Sequence, residues 1–159
     1  MAKLLVMFFS KTGNTESMAR CIAEAAGEVE GISVQLRPVE EVDPDDLLCF
    51  DGIVMGSPVY YGTMAAPLKQ LIDVSVKHHG KLEGKVGGAF SSSGVMGGGN
   101  ETTLLDIIAC QLVHGMIVTG VSHGPHYGPT CQGAPGEDAQ KQCADYGRKV
   151  AELCVKLFG

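Results

Sequence analysis

Residues Leu4 to Phe9 are apolar without interruption, and the chain then changes character twice within a few positions. A run with no polar residue fits a strand covered on both faces, as in a parallel sheet. Ser10-Lys11-Thr12-Gly13-Asn14-Thr15 follows. An amphipathic stretch from Glu16 to Val29 comes next, with Met18, Ile22, Ala25 or Ala26, and Val29 at helical spacing. A buried strand therefore delivers a short, hydroxyl-rich loop onto the first turn of a helix. Such a turn aims unpaired backbone N–H groups and the positive end of a helix dipole at one point. Ser10, Thr12 and Thr15 add hydroxyl donors, and Gly13 lets the backbone approach a ligand closely. A compact dianion such as a terminal phosphate suits this loop. The same letters also describe a plain helix start with Asn14 or Thr15 as N-cap.

The alternation continues to the end of the chain. Ile32, Val34 and Leu36 alternate with polar residues, as in a strand near a sheet edge. Asp43-Pro44 reads as a helix entry inside the acidic cluster Glu40–Asp46, either a solvated helix start or a docking patch for a basic partner. A third strand over Cys49–Met55 leads into the loop Gly56–Met64, then a helix with Leu68, Leu71, Ile72 and Val76 inward. The fourth strand, Val86–Phe90, opens into the loop Ser91–Asn100. A helix turning Leu104, Ile107, Ile108 and Leu112 inward leads to a fifth strand, Met116–Val121. Beyond a Gly/Pro/His loop, the helix Glu137–Phe158 buries Cys143, Tyr146, Val150, Cys154 and Leu157. Strands alternating with helices predict one α/β domain over residues 1–159, a doubly wound five-stranded parallel sheet.

Ligands of such sheets bind beyond the carboxyl ends of the strands. Three loops there are rich in Gly, Ser and Tyr: those after strands one, three and four. Tyr60 and Tyr61, held between Pro58-Val59 and Gly62, offer an aromatic wall for a planar ligand. Ser92, Ser93, Gly94, Val95, Met96 and Gly97 offer backbone N–H groups for the polar edge of a heteroaromatic ring. Phosphate cup, aromatic wall and ring edge together describe a site for flavin mononucleotide (FMN). Neither G-x-x-x-x-G-K-[ST] nor G-x-G-x-x-G follows the first strand, which disfavours Mg-nucleotide and dinucleotide loops. A phosphorylated receiver domain would need acids at the ends of strands one and three, where Phe9-Ser10 and Ser57 stand.

Composition narrows the partners. A net charge of −6 and no basic footprint argue against nucleic acid. No apolar run approaches membrane-spanning length, and we expect a cytoplasmic protein. The six cysteines form no C-x-x-C pair and read as reduced thiols. His123, His126 and Cys131 make a poor metal set, because Gly124-Pro125 form a loop and no orienting carboxylate is near in sequence. No metal and no side-chain nucleophile is expected.

Ser10–Thr15 resembles the [ST]-x-T-G-x-T phosphate loop of the flavodoxin-like family. Gly56–Gly62 with Leu71-Ile72-Asp73, Gly84-Lys85 through Phe90–Gly94 to Gly97–Thr102, and His114-Gly115-Met116 resemble the WrbA-type NAD(P)H:quinone oxidoreductases, a likeness spanning nearly the whole chain. The resemblance implies a flavodoxin-like three-layer sandwich with strand order 2-1-3-4-5. FMN contacts would fall on Ser10–Thr15, on the turn around Val59, Tyr60 and Tyr61, and on Ser92–Gly97. It also implies reduction of quinones or similar acceptors by NAD(P)H, His126 and Tyr127 on the substrate side, and a homo-oligomer, dimer or tetramer. Departures are an absent insertion before the third strand, a shorter connection after the fifth, a longer glycine loop around Val95 and Met96, and Val113 in place of the first histidine of an H-H-G run. A flavodoxin-type electron carrier serving redox proteins is the alternative.

Overall fold

The computed structural model describes Met1–Gly159 and contains seven strands and four α-helices. β1 (Ala2–Phe8) leads through the Ser10–Gly13 turn to α1 (Asn14–Gly27), and β2 (Ile32–Pro38) follows. β3 (Gly52–Tyr60) folds back as a hairpin with β4 (Thr63–Met64) before α2 (Ala66–Val74). β5 (Val86–Ser93), α3 (Asn100–Val113), β6 (Ile117–Val118), β7 (Thr130–Gln132) and α4 (Glu137–Phe158) complete the chain. The parallel sheet has the order β2-β1-β3-β5-β6. Counting parallel strands alone, this is the expected 2-1-3-4-5.

The uninterrupted apolar run of β1 serves two cores. Leu4, Val6 and Phe8 face α1 and α4, where Met18, Ile22, Tyr146 and Val150 close one layer. Leu5 and Met7 face the other side and pack with Leu68, Leu71, Leu104 and Ile107 from α2 and α3. Alternate residues pointing to opposite faces make both sides of this strand core from Leu4 onward, so its one polar residue is the exposed Lys3 near the start. α1 and α4 cross closely at Gly147, where a Cβ would lie 2.3 Å from the Ile22 carbonyl oxygen. No helix is long and apolar enough to cross a membrane.

Several boundaries differ from the sequence reading, each for a local reason. β3 runs on through Gly56–Tyr60, so Pro58, Val59 and Tyr60 are strand residues and the loop shrinks to Tyr61-Gly62. β5 likewise includes Ser91, Ser92 and Ser93, whose hydroxyls are buried and satisfied, leaving Gly94–Gly99 as the loop. The segment Pro44–Cys49 is a 3-10 helix, capped by Asp43 as expected. The fifth strand is not continuous over Met116–Val121. β6 pairs with Val86-Gly87, the chain leaves the sheet, and β7 returns beside Ser91–Ser93. Val76 is exposed because α2 ends at Val74 and a tighter 3-10 turn rotates it outward. Leu112 is exposed, and Gln111 takes the buried position, donating to the Gly88 carbonyl at 2.9 Å. Leu157 lies on the fraying last turn of α4 and is exposed.

Candidate functional site

The β1–α1 loop begins where the apolar strand ends, and Gly13 turns the chain. Its φ of 91° is left-handed, and it is the N-cap of α1 with no side-chain capping bond, so neither Asn14 nor Thr15 caps the helix. Of the amides from Lys11 to Glu16, only that of Gly13 has a protein acceptor, Ser10 Oγ at 3.1 Å. The N–H groups of Lys11, Thr12, Asn14, Thr15 and Glu16 thus form an open set of donors at a helix start, which is the arrangement an anion needs. Lys11 and Thr12 are exposed and Thr15 is buried.

The second wall is the β3–β4 hairpin. Its two central residues, Tyr61 (φ 51°) and Gly62 (φ 79°), both take positive φ, as a two-residue type I′ turn demands. Tyr61 is the only non-glycine residue with positive φ, and its side chain is fully exposed. Tyr60 is partly exposed and meets Phe9 edge-on, with ring centroids 6.3 Å apart. Ser57 fixes the hairpin's base: its hydroxyl donates to the Pro58 carbonyl and accepts from Ala65 N–H, each at 2.8 Å.

The third wall is the β5–α3 loop. Ser93 Oγ donates to the Val95 carbonyl at 2.9 Å and accepts from Asn100 Nδ2 at 3.1 Å, bracing the loop at its root. The amides of Gly94, Val95, Met96, Gly97 and Gly99 have no protein acceptor. Val95 and Met96 are exposed.

Cross-links bring the three walls together. Thr15 Oγ1 and Ser92 Oγ are hydrogen-bonded at 2.8 Å, tying the first loop to β5. Thr102 Oγ1 is 2.6 Å from the Gly62 carbonyl, tying α3 to the hairpin turn. At Gly99 (φ 112°) a Cβ would lie 2.8 Å from Gly62 Cα, so the glycine loop and the hairpin touch backbone to backbone. Ser57, Asn100 and Thr102 hold this crevice; they fall inside the segments that resemble the WrbA-type enzymes but not among the candidate cofactor contacts. The signal available was weak: single polar residues flanking a glycine-rich run.

Other candidates lie outside these three loops. Tyr127 is exposed in the excursion between β6 and β7, and His126 Nδ1 is 2.8 Å from Val121 O in its own loop. The adjoining Gly128 packs against Ala89, four residues before the end of β5. His114 is buried at the far end of α3 against Ser75. The acidic cluster is largely paired: Asp46 with Arg37 at 3.0 Å, Asp45 with Lys77 and His78, each at 2.6 Å. Hydrogen bonds from Lys77 and then His78 hold Asp45 below the usual carboxylate range. Burial pushes the thiols of Cys131 up to about 11 and of Cys143 and Cys154 up to about 12, which makes them packing groups and not nucleophiles.

An open, doubly wound sheet with an amide-lined cup, an aromatic hairpin and an amide-lined loop at its carboxyl edge defines a mononucleotide-binding α/β protein. Residues 3–124 match the family of NADPH-dependent FMN reductases, and the chain belongs to it; it is an FMN-binding flavoprotein. A flavodoxin of Aquifex aeolicus is 38% identical over 99% of this chain and 89% of its own length. An NAD(P)H dehydrogenase (quinone) of Archaeoglobus fulgidus is 34% identical over 99% of this chain and its full length. Among solved structures, a WrbA-like flavodoxin protein from Agrobacterium tumefaciens superposes with a TM-score of 0.83 at 25% identity, covering 98% of this chain and 99% of that one.

Proposed function

We propose that the chain is a reductase that takes electrons from NAD(P)H and passes them, through FMN, to quinones or similar flat acceptors. In this reading the cup Ser10–Thr15 holds the phosphate, Pro58–Gly62 flank the ring, and Ser92–Gly97 line its polar edge. FMN, when bound, supplies two-electron chemistry that no side chain here provides. The protein's part is to hold and orient. Free amides of the cup meet the phosphate charge, and the Gly94–Gly99 amides stand ready for charge at the ring edge. Tyr60 and Tyr61 shield the ring from water.

The observation that carries the reading is the rim. Tyr61, Val95 and Met96 are exposed, and no acidic residue occurs from Ser57 to Ala66 or from Ser91 to Asn100. An apolar, uncharged rim suits a neutral planar acceptor better than a charged protein. The carrier reading draws support from the flavodoxin of Aquifex aeolicus. Stopped-flow mixing of holoprotein with NADH or NADPH, then with a soluble benzoquinone, separates them. Saturable bleaching followed by rapid reoxidation is expected. Bleaching that is slow, unsaturable and indifferent to the nicotinamide favours the carrier.

A further inference from the structure

A cavity of about 380 Å³ lies between the β6–β7 excursion and the first half of α4, away from the three loops above. His123, Lys141, Gln142, Lys149, Asp138 and Asp145 line it, and Val121 and Pro125 give it an apolar wall. Two lysines and two aspartates balance in number, but they are not paired with one another. Asp138 stands in the first turn of α4, where the helix dipole offsets a carboxylate, and Asp145 has Arg148 at 3.6 Å. Lys141 has no anionic partner, although Asp138 and Asp145 sit at i−3 and i+4 on the same helix. Lys149 spends one N–H on the Gly120 carbonyl, which pins the excursion to α4, and it has no carboxylate partner.

We infer that this cavity binds the phosphorylated adenosine end of NADPH. Two ammonium groups without carboxylate partners answer a ribose phosphate. Asp138, Asp145 and Gln142 answer what inorganic phosphate lacks: the one free ribose hydroxyl and an exocyclic amine, which donate hydrogen bonds. Val121 and Pro125 offer a face for the base. The cavity is also placed to serve the flavin crevice. Gly133 N–H donates to the Ser93 carbonyl at 2.8 Å, at the root of the glycine loop, and Asp138 follows five residues later. Five residues span at most about 18 Å, within reach of an extended dinucleotide.

The inference rests on the reductase reading, and its test separates the two. Adenosine 2′,5′-bisphosphate titrated into ¹⁵N-labelled holoprotein should shift the amides of His123, Gly124, Lys141 and Gln142, with 5′-AMP binding about tenfold more weakly for want of the second phosphate. Lys141→Glu should weaken bisphosphate binding and raise the KM for NADPH about tenfold more than that for NADH, with kcat for NADPH retained. Lys141→Gln, which keeps the helix and removes only the charge, should give a smaller shift of the same sign. Bisphosphate that leaves the cavity amides unmoved, while NADPH still bleaches the flavin, overturns the cavity assignment and spares the reductase reading. Bisphosphate bound in the cavity of a protein that neither nicotinamide reduces upholds a nucleotide site and sinks the reductase.

Discussion

At Tyr61 the backbone sits at φ 51°, where a side chain other than Gly, Asn or Asp costs about 1–2 kcal/mol. Asn-Gly is the sequence this turn prefers, and a fully exposed tyrosine recovers nothing from packing. Strain without local compensation marks a position kept for something else, here the flat face of a ligand. Tyr61→Asn is therefore expected to raise the melting temperature of the apoprotein by about 2–4 °C, from ~1 kcal/mol of relieved strain. The same change should weaken FMN binding about tenfold through lost stacking, read from quenching of flavin fluorescence. His114 is the other residue with a measurable consequence. Ser75 donates its hydroxyl hydrogen to the Ile72 carbonyl at 2.7 Å, so His114 Nε2–H must donate to Ser75 Oγ at 2.9 Å; this assigns the tautomer. Its Nδ1 is buried with no partner. A second proton there has no acceptor, and desolvation first, then the nearby His79, lowers the imidazole below its ordinary 6.5. A lowered pKa means the unfolded chain binds the proton first. The stability this group contributes is whole above pH 6.5 and is lost as the pH falls through the folded value. Urea unfolding at pH 8 and pH 5 should show this loss, and His114→Gln should reduce it.

At the scale of elements, the site depends on how the β3–β4 hairpin is docked to the start of α3. Thr102 Oγ1 reaches the Gly62 carbonyl, Thr63 Oγ1 donates to Asp106 at 2.5 Å, and Gly99 meets Gly62 without room for a Cβ. Gly99→Ala adds a methyl at 2.8 Å from backbone and strains a φ of 112°. We expect a loss of about 1–3 kcal/mol in stability and at least a tenfold loss in FMN affinity, since the aromatic wall and the amide-rich loop are forced apart. Thr102→Val, which removes only the tether, should weaken FMN binding while sparing most of the stability. Calorimetry on both variants separates docking of the hairpin from folding of α3.

On the scale of the molecule, the outer face of α3 leaves Leu105, Leu112 and Val113 exposed, and Ile117 of β6 is exposed as well. Exposed apolar residues gathered on one helix suit contact with a partner surface, a second copy of the chain among them. Homo-oligomerisation remains our proposal, and Leu112→Glu should shift the sedimentation coefficient toward that of a monomer without unfolding the protein. The cut in the sheet's edge is a second feature of this scale. β6 and β7 share one position beside β5, and the residues between them form the outer wall of the α4 cavity.

The amino-acid sequence by itself determined the alternation of buried strands and amphipathic helices, because each depends on neighbours within one or two turns of chain. The apolar run from Leu4 reads as strand, which ends at Phe8, and Asp43-Pro44 reads as a helical start, each from its local pattern. It also placed a hydroxyl- and glycine-rich loop after each of three strands. What only the tertiary structure decided was long-range. Pro58 is strand because it pairs with Ser92, Val59-Tyr60 because they pair with Met64 and Thr63, and Ser91–Ser93 because they pair with Thr130–Gln132, all against a local turn-like composition. Gln111 outranked Leu112 for the buried position because the Gly88 carbonyl waits for a donor there. Thr15 met Ser92, 77 positions away, for the same reason: a buried hydroxyl needs a partner, and chain order says nothing of which one it will find.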